Sequence, residues 1–152
     1  MPLVDGIHHL STLTADMDRL IDFYRRVFDA SVLLDVGEEG LRHAFIQLGP
    51  STFLHPFQIP GVEVPQGEIP MFERGRLDHI GLNASSEEAF HELRRRIVAE
   101  GAGDGTVTDI GVVLSVSFAD PDGAGHEIIW TKPGVPLAHS LPRAEWTTVA
   151  ID

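Results

Sequence analysis

Two histidines stand 70 residues apart at the head of matching segments, His9-Leu10-Ser11-Thr12-Leu13 and His79-Ile80-Gly81-Leu82-Asn83. Two more polar residues, His55 and Glu127, take corresponding places on the last strand expected of each segment, once a two-residue loop insertion is allowed. Imidazole nitrogen and carboxylate oxygen are the usual protein ligands of Zn2+, Fe2+, Mn2+, Ni2+ and Co2+, and a set that leaves coordination positions open can hold a substrate too. A single histidine is more often a surface or hydrogen-bonded residue than a ligand. For the four together the balance reverses, because a carboxylate facing a sheet interior is costly unless it is paired or metal-bound.

Strand phase decides which of these residues share a face. Ile80, Leu82 and Ala84 form an apolar face for a helix to cover, which leaves His79, Gly81 and Asn83 on the other. The same phase turns Leu10 toward the first helix and His9, Ser11 and Leu13 away from it, with His8 pointing the wrong way. His126, Ile128 and Trp130 alternate with Glu127 and Ile129. His43 and His91 have no evident partner, and solvent-facing or structural roles are expected of them.

The elements that must position these side chains follow from periodicity and turn residues. A strand over 7–14 leads to a helix capped by Asp16 or Thr14 and running to about Phe28, whose Met17, Leu20, Ile21, Tyr24, Val27 and Phe28 recur at helical spacing on one buried face. Strands follow over Ser31 to Val36, Leu41 to Leu48 and Phe53 to Ile59. The second copy repeats this order: a strand near Leu77 to Asn83, a helix with Ser85 and Glu88 as a capping box ending near Gly101, then strands over Thr106 to Thr108, Val112 to Ala119 and Gly125 to Trp130. Leu20, Phe23, Val27 and Phe28 align with Phe90, Leu93, Ile97 and Val98, which argues for duplication of one β-α-β-β-β unit. The chain is expected to be a single α+β domain over 1–152, with module 1 at about 6–59, a Pro- and Gly-rich linker at 60–76, module 2 at about 77–131 and an extended tail at 132–152.

Composition narrows the partners. With 11 Lys plus Arg against 23 Asp plus Glu, the formal charge of −12 repels a phosphate backbone, so nucleic acid and anionic membrane are poor partners. Absence of cysteine removes disulfides and thiolate ligands, so any metal must sit on nitrogen and oxygen. No signal segment or long apolar run is evident, and a cytoplasmic location is expected by default. Arg25-Arg26 and Arg94-Arg95-Arg96 are most simply charges that complement helix C-termini. Phe45, Phe53, Phe57 and Trp130 are candidates to line a cleft, although aromatic residues on strands are more often core.

The pattern resembles the vicinal oxygen chelate superfamily, which includes glyoxalase I, fosfomycin-modifying transferases, methylmalonyl-CoA epimerase, extradiol dioxygenases and bleomycin-binding proteins. The resemblance covers roughly residues 6–131 and rests on Gly6-Ile7-His8-His9-Leu10 with Phe23-Tyr24-Arg25, on Leu77-Asp78-His79-Ile80-Gly81, and on Phe118-Ala119-Asp120-Pro121-Asp122-Gly123 with Glu127. It implies paired βαβββ modules forming a curled mixed sheet with a cleft and the helices outside. It implies metal ligation by His9, His79 and Glu127, and places His55 where isomerase members carry Glu or Gln.

Fold alone does not choose a reaction. A divalent metal with two open positions can chelate neighbouring substrate oxygens and stabilise an enediolate, which favours lyase or isomerase chemistry on a small substrate. Glu127 is then a ligand, or a ligand that moves off to act as base, and His55 a fourth ligand or an acid/base group. The His9, His79 and Glu127 triad also suits an Fe2+ ring-cleaving dioxygenase, although the only tyrosine, Tyr24, reads as core. The remaining class is a metal-free binder of the bleomycin-resistance type. A homodimer is expected, with the cleft either within one chain or shared between two.

Overall fold

The computed structural model describes residues 3, 6–65, 67 and 69–150. They divide into two units, one ending at residue 66 and one running from Gly67 onward, so the second half of the Pro- and Gly-rich stretch belongs with the second unit.

The first unit is a βαβββ module: β1 (His9–Leu13), α1 (Met17–Phe28), β2 (Ser31–Glu38), β3 (Leu41–Gly49) and β4 (Thr52–Gln58). Its sheet runs β1-β4-β3-β2, with β1 parallel to β4 and the other pairs antiparallel. Asp16 caps α1, its carboxylate accepting the Arg19 backbone N–H at 3.0 Å, and Asp29 closes the helix in the left-handed region at φ 53°. Thr14, the alternative cap, instead receives the Asp16 N–H at 3.2 Å. The Met17 N–H reaches the Gln58 side chain at 3.0 Å, which pins the start of the helix to the end of β4. Met17, Leu20, Ile21, Phe23, Tyr24 and Val27 are buried, and each contributes on the order of 1.5–3 kcal/mol of apolar burial. Phe28 is only half-buried and Phe23 takes the place expected of it, because the helix turns Phe23 toward Tyr24 and ends at Phe28.

The second unit repeats the order with β5 (Ile80–Asn83), α2 (Glu87–Ala99), β6 (Val107–Asp109), β7 (Val113–Ala119) and β8 (Gly125–Thr131). β5 lies parallel to β8 as β1 lies to β4, and the sheet runs β5-β8-β7-β6 before gaining a fifth strand. The cap of α2 is Ser86 rather than Ser85: Ser86 is extended and its hydroxyl accepts the Ala89 N–H at 3.1 Å. The Asp120-Pro121-Asp122-Gly123 turn is held by the Asp120 carboxylate, which accepts the N–H groups of Asp122 at 3.0 Å and Ala124 at 2.9 Å.

The tail is more ordered than its prolines suggest. Two short 3-10 turns, Leu137–His139 and Arg143–Glu145, each begin after a proline, and β9 (Thr147–Val149) pairs antiparallel with β6. Gly111, at φ +91°, lets the Leu141 side chain pack against its backbone, where a Cβ would collide. The Leu141 N–H bonds the Ile110 carbonyl at 2.9 Å. Among the described residues no helix is long and apolar enough to cross a membrane.

Candidate metal centre

In the first unit, period-two alternation sends Ala44, Ile46 and Leu54 into the core and turns His43, Phe45, Phe53, His55 and Phe57 to the opposite face. β1 lies in register with β4, His9 opposite Phe53 and Ser11 opposite His55, so His9 joins that face with its ring centroid 5.7 Å from that of His55. His43 is the unforeseen member: its Nδ1 lies 3.0 Å from Nε2 of His55, one ring donating to the other. The sequence carried the signal, since counting back across the Gly49–Thr52 turn puts 43, 45, 53, 55 and 57 on one parity. His8, which strand phase turned away, precedes β1 and escapes its alternation; its Nδ1 is 3.0 Å from Nδ1 of His9.

Phenyl rings wall these imidazoles. Phe45 and Phe57 lie 4.6 and 4.3 Å from the His55 ring, and His43 stacks on Phe57 at 12°. These phenylalanines are half-buried beside the histidines rather than core. Burial first, then the neighbouring His43 and His9, pushes the His55 imidazole below its ordinary value, so it favours the neutral, donor-capable form.

In the second unit, Glu127 lies opposite Gly81 in the β5–β8 register and therefore shares a face with Asn83 and with His79, just before β5. The His79 Nε2 lies 3.7 Å from Glu127 Oε2. Its other ring nitrogen, Nδ1, is 2.8 Å from Asp78 Oδ2. An ionised carboxylate only accepts, so Nδ1 carries a hydrogen; in the neutral form of the ring Nε2 is then the lone-pair nitrogen, and it faces the carboxylate oxygen of Glu127. Two lone-pair donors facing each other suit a cation, and 3.7 Å lies within reach of two bonds of about 2.0–2.2 Å each. The hydrogen bond from His79, supported by the Phe72 N–H and by Arg74, holds the Asp78 carboxyl below the usual carboxylate range.

The structure thus brings His9 together with His55, and His79 together with Glu127. Among the described residues no three His, Asp or Glu side chains cluster tightly enough to hold an ion by themselves. The donor set of imidazole nitrogen and carboxylate oxygen fits a borderline divalent ion. His91 lies 4.0 Å from Glu87 across one helical turn and beside the Phe90 ring. Lys132 pairs with Asp109 at 2.7 Å, and Arg42 joins Asp35 and Asp18 at 2.8 and 2.7 Å; both tie strands or a helix within their own unit.

Comparison with known proteins gives the family and the fold. The model of the Glyoxalase/Bleomycin resistance protein/Dioxygenase superfamily matches residues 6–128, and the chain belongs to that superfamily. It is 28% identical over 157 residues to a Bacillus subtilis (strain 168) protein named "Putative ring-cleaving dioxygenase MhqA". The match covers 91% of this chain and 48% of MhqA, so the chain spans about half the length of that relative. Among solved structures it is similar to a glyoxylase/bleomycin resistance protein/dioxygenase domain from Frankia sp. EAN1pec, with TM-score 0.73 and 18% identity over 85% of this chain and 99% of that one. It is also similar to a mutant of the fosfomycin resistance protein FosX from Listeria monocytogenes, complexed with Mn(II) and 1S,2S-dihydroxypropylphosphonic acid. That likeness has TM-score 0.62 and 18% identity over 86% of this chain and 96% of FosX. At such identities the structural likeness speaks for the fold.

Proposed function

We propose that the protein is a divalent-metal-dependent enzyme that takes a small substrate through neighbouring oxygens, with lyase or isomerase chemistry. In this reading His9, His79 and Glu127 are metal donors, Glu127 remaining a ligand or moving off to act as base, and His55 is a fourth donor or the acid/base group. The observation that carries it is His79 Nε2 facing Glu127 Oε2 at 3.7 Å, with the opposite ring nitrogen tied to a carboxylate. When bound, the ion supplies Lewis acidity to adjacent substrate oxygens. Glu127 can take a proton on its carboxylate from the substrate carbon beside those oxygens. His55, biased to the neutral form, can accept a proton at a ring nitrogen, and Phe45 and Phe57 limit the water around it.

The experiment is a titration of chelator-stripped protein with Mn2+, followed by calorimetry. One ion per chain is expected, with His79→Ala and Glu127→Ala each weakening binding by at least about 100-fold, as is usual when a direct ligand is lost. Equal weakening by His9→Ala and His55→Ala would make the four residues one ligand set. Absence of binding would overturn the reading in favour of a metal-free binder. Turnover of 2-hydroxycarbonyl substrates should disappear with the metal.

A second reading, an Fe2+ ring-cleaving dioxygenase, is favoured by the 28% likeness to MhqA. The two-histidine, one-carboxylate donors His9, His79 and Glu127 suit it, and the phenyl-walled imidazole face offers rings for an aromatic substrate to stack on. Oxygen uptake with catechols under Fe2+, absent in Glu127→Ala, separates it from the first. Light scattering is expected to give a homodimer, at about twice the chain mass.

A further inference from the structure

The stretch before β5 does more than connect. Asp78 is held from three sides, all within the second unit. Its Oδ2 faces His79 Nδ1 at 2.8 Å, its Oδ1 accepts the Phe72 backbone N–H, and the Arg74 guanidinium lies 3.9 Å from Oδ2. Arg74 is fixed in turn: its Nε donates to the Ile69 carbonyl at 2.6 Å, and its side chain is only 13% exposed. It lies against Gly125, the first residue of β8, where any Cβ would run into the guanidinium. Phe72 holds its N–H toward Asp78 from a left-handed backbone conformation, φ 73°, although it is a bulky residue with 69% of its surface exposed. Such a conformation persists in a non-glycine residue only where the surroundings over-determine it. Arg143 lies over its ring, 5.5 Å from the centroid, and the hydrogen bond to Asp78 accompanies the left-handed backbone.

We propose that Asp78, braced by the Phe72 N–H and by Arg74, is a positioning residue that locks His79 in the Nδ1–H tautomer and so aims a bare Nε2 at Glu127. Free neutral imidazole divides between two tautomers, and the partner of one nitrogen decides what the other offers. A carboxylate on Nδ1 both fixes the ring plane and raises the basicity of Nε2. The proposal deepens the metal-dependent reading and rests on it for its functional consequence, but the tautomer is a property of the metal-free protein.

The test is Asp78→Asn, which keeps size and shape. The Phe72 N–H requires the amide oxygen at the Oδ1 position, so the amide NH2 falls on His79 Nδ1 and donates to it. In long-range 1H–15N spectra of metal-free protein above the imidazole titration range, His79 is expected as Nδ1–H in the native chain and as Nε2–H in Asp78→Asn. Amide spectra elsewhere should superpose, which excludes unfolding as the cause. Mn2+ affinity should fall by about 10–100-fold in the variant. An Nε2–H tautomer in the native chain, or a folded Asp78→Asn in which His79 stays Nδ1–H, overturns the proposal. Tautomer inversion in a chain that binds no Mn2+ would sustain the positioning role while removing the metal reading.

Discussion

The two units place the same elements in the same order, yet their corresponding strands β4 and β8 carry opposite chemistry. On β4, Leu54 is buried and His55 stands among phenyl rings and two other imidazoles. At the matching positions of β8, His126 is buried beside Asp120, and Glu127 faces His79. The first unit therefore surrounds imidazole with apolar rings and more imidazole, which favours the neutral form at His55. The second surrounds imidazole with carboxylate oxygens, which fixes ring orientation. A duplicated backbone sets where side chains stand; the neighbours each unit supplies set what they do there.

The contrast breaks most severely at Asp120. That carboxylate, 4% exposed, accepts two turn N–H groups and lies 3.4 Å from His126 Nε2, so removing it leaves several buried polar groups without their acceptor. Asp120→Ala is expected to destabilise by about 3–5 kcal/mol in urea unfolding. Ser51→Ala, on the exposed turn leading into β4, should stay within about 0.5 kcal/mol. Similar losses at both turns would mean that the second unit does not depend on its buried polar pair.

A smaller effect sharpens the first unit's side of the comparison. His43→Phe keeps a ring beside Phe57 but removes both the hydrogen bond to His55 and the charge that opposes its protonation. The lost hydrogen bond should cost about 1 kcal/mol at pH 8. In NMR titration of metal-free protein the His55 value should rise part of the way toward that of free imidazole, since burial, the larger cause, remains. The sign on stability follows. His55 binds its proton less readily folded than unfolded, so the native chain loses stability as pH falls from about 6.5 toward the folded value, and that window narrows in His43→Phe. An unchanged His55 value would show that His43 exerts no electrostatic influence.

Much of this was legible in the sequence because it depends on local rules. The repeat put His9, His55, His79 and Glu127 at equivalent positions on sheet faces, and the spacing from Met17 to Val27 gave α1 its buried stripe. What stayed hidden needs pairing between elements. His43 meets His55 only after β3 and β4 are joined in register. β9 is a strand only because β6 offers an edge, and Thr147–Val149 has no strong pattern of its own. Asp78 was visible beside His79, but its role depends on Phe72 and Arg74 folding back onto it, a tertiary arrangement that chain order does not announce.

The gentlest test lies on the rim of the second unit, where Lys132 donates to both Asp109 oxygens at 2.7 Å. That hydrogen bond, aided by the Gly111 N–H, lowers the Asp109 carboxyl from its ordinary value. A carboxylate with a depressed folded value adds stability that is fully present above the unfolded value of about 3.9 and is lost as pH falls through the folded one. Asp109→Asn keeps an oxygen for the Gly111 N–H but removes the charge and replaces one of the two oxygens that accept from Lys132 by an NH2, so the loss at pH 7 should be about 1 kcal/mol, as for other partly exposed pairs. The gap between native and variant chains in acid unfolding should close as pH drops below about 4, and added salt should narrow it at neutral pH. A gap that persisted at about pH 2, below both values, would mean that Asp109 acts through its turn geometry instead of its charge. The electrostatic asymmetry between the units would then rest on Asp78, Asp120 and Glu127.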